Sequence, residues 1–194
     1  MFYSKQKSIS SDKQKLRDKV RTMRRALSKD EVKKHSESIC SQILEMTEYK
    51  TSHSIAIYMA FDNEVDLRAV ISDSFGKRRV LCPRIISKEQ MEFREIASWD
   101  DLAPNKFGIP EPIAAQPVAS PQNIDLMLIP GIAFSHEGHR LGLGAGYYDR
   151  FLRNTNGLKW GIAYDFQIVD QVPVEEHDHA LDRIISDSVK EGQD

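Results

Sequence analysis

The sequence predicts an α/β fold: an open three-layer α/β/α arrangement around a mostly parallel sheet, with a helical N-terminal lead-in. Three observations predict it. Strand-like and helix-like segments alternate along most of the chain, as they do where helices form the crossovers of a parallel sheet. The run IDLMLIP at 124–130 is apolar nearly throughout, as a strand buried on both faces must be. Ahead of the first strand the periodicity is helical rather than alternating.

The elements follow in order. Leu16, Val20, Met23 and Leu27 recur at helical spacing, with Ser11 or Asp12 expected as the N-cap. Ser28 and Glu31 form an S-x-x-E capping box that opens a second helix, whose apolar face is Val32, Ile39, Ile43 and Met46. SIAIYMA (54–60) reads as a buried strand and FDNEVD as a polar turn. Asp66 is the expected cap of helix LRAVISDSF, which Gly76 closes. RRVLCPRI and MEFREI read as two further strands. The Pro-rich segment 99–123 reads as a long ordered connection, too apolar for a loose linker. After the central strand and a glycine run, YYDRFLR starts a helix. WGIAYDF (160–166) and DRIISD (182–187) supply the last strands.

The 194 residues are expected to form a single domain with a flexible start over 1–10. With 40% hydrophobic and 29% charged residues, the chain has the composition of a globular protein rather than a disordered one. Its 27 Lys+Arg against 29 Asp+Glu give no global pull toward nucleic acid or an anionic membrane. No apolar run is long enough to span a bilayer. The N-terminus lacks the apolar core of a secretory signal, while its basic, Ser-rich start leaves a short organellar presequence open. Cys40 and Cys82 lack C-x-x-C spacing and suit a reducing compartment. The expectation is a cytoplasmic monomer that binds small molecules, not nucleic acid or membrane. Charge is uneven, however: KQKLRDKVRTMRR (13–25) is strongly basic, which points to a local anion site.

RLGLGAGYYDR (140–150) is the segment richest in chemistry. Gly142, Gly144 and Gly146 strip side chains from a loop just before a helix, where backbone N–H groups can meet a phosphate. The spacing is neither G-x-G-x-x-G nor Walker A, so a tight structural turn and a phosphate loop both fit. Asp149 reads either as a first-turn helix charge or as a Mg²⁺ ligand beside phosphates. His136, Glu137 and His139, with His177 to His179, invite a zinc reading; the plainer one is an exposed polar turn.

IPGIAFSHEGHRLGLGAGYYDRFL resembles the signature of the 5-formyltetrahydrofolate cyclo-ligases, also called methenyltetrahydrofolate synthetases. Pro130, Gly131, Phe134, Gly138 and the residues 140–142, 144 and 146–149 fill every fixed position of that block. KQKLR (13–17), IYMAFDNEVD, FGIPEP and VPVEEHDHALD resemble further family segments, in the same order. The resemblance implies an ATP- and Mg²⁺-dependent enzyme that cyclises 5-formyltetrahydrofolate to 5,10-methenyltetrahydrofolate, releasing ADP and phosphate. It implies ATP contacts at Lys13, Gln14, Lys15, Leu16 and Arg17, and from Arg140 through Leu141, Gly142, Leu143, Gly144, Ala145, Gly146 and Tyr147 to Tyr148. It implies folate contacts at Met59 and Glu64 and at residues 143–147, and Mg²⁺ at Asp149 and Asp178. Arg140, whose guanidinium fork matches phosphoryl oxygens, is the expected catalytic group.

Some members carry lysine where this chain has Ala145, which leaves Lys13, Arg17 and Arg140 to supply positive charge. Each of these residues also has a plain reading. The basic helix alone is an ordinary solvated face, Glu64 a turn acid, Asp178 a turn cap, and Tyr58 and Met59 core or pocket wall. A paralogue using ATP on another substrate, and a folate binder without turnover, are the alternative functions.

Overall fold

The computed structural model describes residues 2–173 and 180–188, with side chains from Ser10 onward. The chain opens with α1 (Phe2–Ala26), α2 (Lys29–Glu45) and the short α3 (Thr47–Thr51), then β1 (Ser54–Ile57) and α4 (Arg68–Ser74). A hairpin of β2 (Arg79–Ile85) and β3 (Met91–Ile96) follows, then a small two-stranded arm, β4 (Leu102–Pro104) and β5 (Pro110–Pro112). The second half runs through β6 (Leu126–Pro130), β7 (Ala133–Ser135), β8 (Arg140–Leu141), α5 (Tyr147–Leu152), β9 (Leu158–Ile162), β10 (Ile168–Val169) and β11 (Arg183–Ile185).

The main sheet has the order β11-β9-β6-β1-β2-β3. All its neighbours are parallel except β2 and β3, so the expected architecture is present. Alternation along the central strands serves both faces. Ile55 and Ile57 of β1, with Leu126 and Leu128 of β6, pack with Ile39 and Ile43 of α2 and Val70 and Ile71 of α4. Ala56, Met127 and Ile129 face the other way, toward Phe93, Phe151 and Leu152. Helices therefore cover both sides of the sheet. Among the described residues, no helix is long and apolar enough to cross a membrane.

Several elements differ from the sequence reading. α1 begins at Phe2, so neither Ser11 nor Asp12 caps it. α4 starts after Leu67; Asp66 instead accepts the Arg68 N–H from two residues back, closing a turn. β1 ends at Ile57 rather than residue 60, because the chain leaves the sheet toward Asp62 and Asn63, both at positive φ. β9 starts two residues before the WGIAYDF run. The connection between β6 and the glycine run is not a plain loop but the β7–β8 hairpin, which joins β10 in a separate three-stranded sheet.

From β1 the chain first steps to β2 and β3, then returns to the opposite side for β6, β9 and β11. The β1–β6 boundary is thus a topological switch point, and a crevice opens at the carboxyl ends of strands that part there.

Candidate active site

A cavity of about 230 Å³ occupies that position. Tyr58 and Met59 enter it just beyond β1, Pro130 and Gly131 at the end of β6, and Pro83, Ile85 and Met91 from the β2–β3 hairpin. Ile109, Pro110 and Glu111 of the arm close one side. The glycine loop and the first turn of α5 form another wall through Gly142, Leu143, Ala145, Gly146, Tyr147, Tyr148 and Asp149. The lining is mainly apolar with a few convergent polar groups, as expected of a ligand site.

The loop's glycines serve its geometry. Gly144 lies at φ +106 and Gly146, the residue before α5, at φ +68, a region L side chains avoid. A Cβ on Gly142 would sit 2.8 Å from Arg140 Nη1. The loop is also pinned from outside. Arg17 Nε–H donates to the Gly142 carbonyl at 3.0 Å, and Arg150 donates to the Ala145 and Glu89 carbonyls, both at 2.9 Å. Tyr147 Oη–H donates to Ser87 at 2.9 Å, tying α5 to the β2–β3 turn. Arg150 therefore brings positive charge to the loop from its far end, as its place in the RLGLGAGYYDR segment suggests beside Arg140.

Arg140 extends from β8 with a side chain only 6% exposed. It donates to the Pro130 carbonyl at 3.2 Å, pairs closely with Asp149, and its guanidinium lies 5.4 Å from the Tyr148 ring centre. Tyr148 also packs edge-on against Phe93. Its hydroxyl is buried without a hydrogen-bond partner, and burial pushes the phenol well above its ordinary range.

Glu64 stands on the facing wall. Its carboxylate accepts the Phe61 N–H at 3.1 Å and pairs with Arg24 at 3.5 Å. Burial raises its pKa to about 7, a push that the Arg24 guanidinium and the Phe61 N–H oppose only in part.

The structure thus gathers Met59, Glu64, Leu143, Ala145, Gly146, Tyr147, Tyr148, Arg140 and Asp149 around one cavity. Gly144 lies in the same loop on its exposed side. Leu141 is a core residue, and Leu16 packs beside it, so their side chains support rather than line the site. Arg17 meets the loop; Gln14 bonds Asp18 and Lys15 pairs with Asp12 on the exposed side of α1, while Lys13 is half-buried. His136 and Glu137 sit exposed in the β7–β8 turn, and among the described residues no group of three His, Cys, Asp or Glu side chains could hold a metal ion. Asp178 and the histidines at 177 and 179 lie outside the described residues.

Sequence reasoning missed Arg24, 1% exposed and paired with both Asp62 and Glu64. A signal existed: Arg24 falls with Val20 and Leu27 on the apolar stripe of α1, where a charge needs a partner. Phe61 and the Ile109–Glu111 wall lie in IYMAFDNEVD and FGIPEP, whose only signal was the family resemblance; tertiary folding is what brings them to the cavity.

Comparison with known proteins finds relatives over nearly the whole chain. A model of the 5-formyltetrahydrofolate cyclo-ligase family matches residues 9–187. The chain is 27% identical to the 5-formyltetrahydrofolate cyclo-ligase of Mus musculus, over 92% of this chain and 95% of that one. It is 29% identical to the Escherichia coli cyclo-ligase, over 87% and 97%. The NMR structure of Aquifex aeolicus 5,10-methenyltetrahydrofolate synthetase superposes with a TM-score of 0.83 at 32% identity, covering 94% of this chain and 95% of that one.

Proposed function

The chain belongs to the 5-formyltetrahydrofolate cyclo-ligase family, and we propose that it catalyses the ATP-dependent cyclisation of 5-formyltetrahydrofolate to 5,10-methenyltetrahydrofolate with release of ADP and phosphate. One observation carries this reading. The Glu64 wall and the glycine loop, 78 or more residues apart in sequence, face one cavity at the switch point.

The chemistry accounts for the residues. A formamide oxygen leaves poorly, so it first takes the γ-phosphoryl group of ATP. N10 of the folate then attacks the formyl carbon, the C–O bond to the phosphorylated oxygen breaks, and phosphate departs as N10 loses its proton. Phosphoryl transfer asks the protein for alignment and charge neutralisation rather than covalent help.

In this reading Glu64 accepts hydrogen bonds from the pterin's amino-pyrimidine edge, with Met59 and Tyr147 against the ring. Residues 140–148 and the Lys13–Arg17 segment hold the nucleotide. Arg140, buried at the floor between Pro130 and Asp149, stabilises charge on the transferred group. Its rigid packing means that little reorganisation is needed as that charge develops.

The residues present fit Mg²⁺. Asp149 lines the cavity and pairs with Arg140 through one carboxylate oxygen, and Mg²⁺ characteristically takes one or two carboxylates together with substrate phosphates and water. Asp149 would hold the ion, with Asp178 as the proposed second carboxylate; the ion would neutralise phosphate charge. The enzyme is proposed to work as a monomer, since one chain supplies the described lining of the cavity, and in the cytoplasm, since its free, buried Cys40 and Cys82 suit a reducing compartment.

The test is spectrophotometric. With MgATP and 5-formyltetrahydrofolate, purified protein is expected to produce the near-ultraviolet absorption of the methenyl product with stoichiometric ADP. ATP hydrolysis without that band would assign the site to another substrate, and folate binding without ADP formation would leave only a binder.

A further inference from the structure

Arg24 has no part in the reading above, yet it is the one large charged side chain in the fully buried set among the described residues. It sits at the end of α1, two turns beyond Arg17, about 10 Å along the helix axis. Its Nη1 lies 3.5 Å from Glu64 Oε1 and its Nη2 3.4 Å from Asp62 Oδ2. Burying a guanidinium without function is costly, and carboxylate partners only partly offset that cost.

The arrangement favours Glu64 over Asp62 as the beneficiary. Asp62 already has a second partner: exposed Arg25 donates to it at 2.9 Å. That contact and Arg24 hold the Asp62 carboxyl below its ordinary range against the cost of burial. Among the described residues Glu64 has no other cationic partner, and of the two it is the one that reaches the cavity. Asn63 ties the same turn to the C-terminal end of α1, donating to the Arg24 carbonyl at 3.3 Å and the Leu27 carbonyl at 3.1 Å. The turn's position is therefore fixed by the helix that carries Arg24.

We propose that Arg24 is a positioning residue for the folate: from the end of α1 it pairs with the Glu64 carboxylate, favours its charged form and orients it as an acceptor in the cavity wall. The proposal rests on the folate reading above. A protonated Glu64 presents an O–H donor to a pterin edge that is itself made of donors, and the match is lost. The other ionisable groups near Glu64 do not replace Arg24. Asp62 acts against ionisation, and Tyr58, Tyr148 and Tyr164 are neutral phenols kept so by burial. Arg140 lines the same cavity but pairs with Asp149. Because Arg17 and Arg24 share α1, one helix fixes both the glycine loop and the proposed pterin acceptor.

Two variants test this with opposite signs. Arg24→Met is expected to raise KM for 5-formyltetrahydrofolate by tenfold or more, on the order expected for a hydrogen bond to a misprotonated partner, with KM for ATP within about twofold. The acid limb of its folate KM profile moves to higher pH. Asp62→Asn removes the opposing charge and moves that limb to lower pH. Arg24→Lys, which keeps the charge, restores most of the folate KM. NMR titration of the Glu64 carboxyl, assigned with Glu64→Gln, reads the same two shifts without any turnover. Equal losses for both substrates, or a Glu64 titration unmoved or shifted in the same direction by both variants, would overturn the proposal. If Arg24→Met does not fold, the Asp62→Asn and Arg24→Lys results decide it. Wild-type protein without cyclo-ligase activity would defeat the functional reading alone, and the NMR shifts would still judge Arg24.

Discussion

Arg17 Nε of α1 and the Gly142 carbonyl of the glycine loop are hydrogen-bonded at 3.0 Å across 125 residues of sequence. The contact carries a charged group to a loop whose own side chains are nearly absent. The guanidinium also stands 3.7 Å from where a Gly144 Cβ would be, so it covers two of the three loop glycines. Arg17→Ala should therefore act on the nucleotide side. KM for ATP is expected to rise about tenfold, a typical loss for a charge-assisted hydrogen bond. KM for folate should change little, and limited proteolysis should cut the 142–146 loop faster. Unchanged ATP kinetics would remove the basic helix from nucleotide binding.

Gly144 and Gly157 separate conformational strain from collision. A Cβ at Gly144 meets nothing closer than Arg17 at 3.7 Å, but its φ of +106 is one that alanine resists. Gly144→Ala should shift an exposed loop and lower turnover at least tenfold with a small change in Tm. At Gly157 a Cβ would run into the backbone carbonyls of Ile124 and Asp125, the latter at 2.7 Å. That backbone leads into β6 and cannot retreat, so Gly157→Ala should lose about 1–3 kcal/mol of stability while the folded fraction keeps its kcat. Urea denaturation and active-site titration measure both. A larger Tm loss at Gly144 than at Gly157 would contradict this division.

Local signals made much of the fold legible. The Ser28–Glu31 capping box forms as read, with Ser28 Oγ accepting the Glu31 N–H and Glu31 accepting the Ser28 N–H at 2.8 Å. MEFREI is β3 to the residue. Apolar IDLMLIP lies near the middle of the sheet because its alternate residues serve two cores. What was not legible depends on distant partners. β7, β8 and β10 are two or three residues long and exist through pairings such as Ile168 with Phe134 and Phe134 with Arg140; no period shows in so short a segment. The loop residues of the site carried a dense local motif, whereas Arg24, though it falls on the apolar stripe of α1, has no identifiable partner until α1 docks on the Asp62–Glu64 turn.

Glu64 predicts a conflict between stability and binding. Its carboxyl titrates at about 7 in the folded chain against an ordinary 4.5, with burial the main cause. The folded state thus holds this proton more tightly than the unfolded state. The site's contribution to stability is fully present below pH 4.5 and is lost as pH rises through about 7. Glu64→Gln should accordingly match wild type in stability at pH 4 and exceed it at pH 8, by up to roughly 3 kcal/mol. Folate binding should run the other way, strengthening as Glu64 ionises between pH 6 and 8 in wild type only (a span of about one unit on either side of that titration). Calorimetry and thermal melts across that range check both signs. A Glu64→Gln variant less stable at pH 8 than wild type would refute the buried-acid account.

Arg140 and Asp149 form the remaining pair, and their roles divide experimentally. Arg140 is packed between the Pro130 carbonyl, Asp149 and the Tyr148 ring, so its charge is fixed before any substrate arrives. Removing such a preorganised donor costs about 10²–10³ in kcat, which is the expected effect of Arg140→Ala. The folate dissociation constant should stay within about threefold, since Glu64 lies on the facing wall. Asp149→Asn tests the ion instead. Replacing a carboxylate by an amide weakens a hard divalent cation's site, so the Mg²⁺ concentration for half-maximal activity should rise while saturating Mg²⁺ recovers much of the rate. Chelation by EDTA should abolish turnover in wild type and variant alike, and added Mg²⁺ should restore it. The Arg140→Ala defect must persist at saturating Mg²⁺; if excess metal rescued it, Arg140 would serve only to orient Asp149.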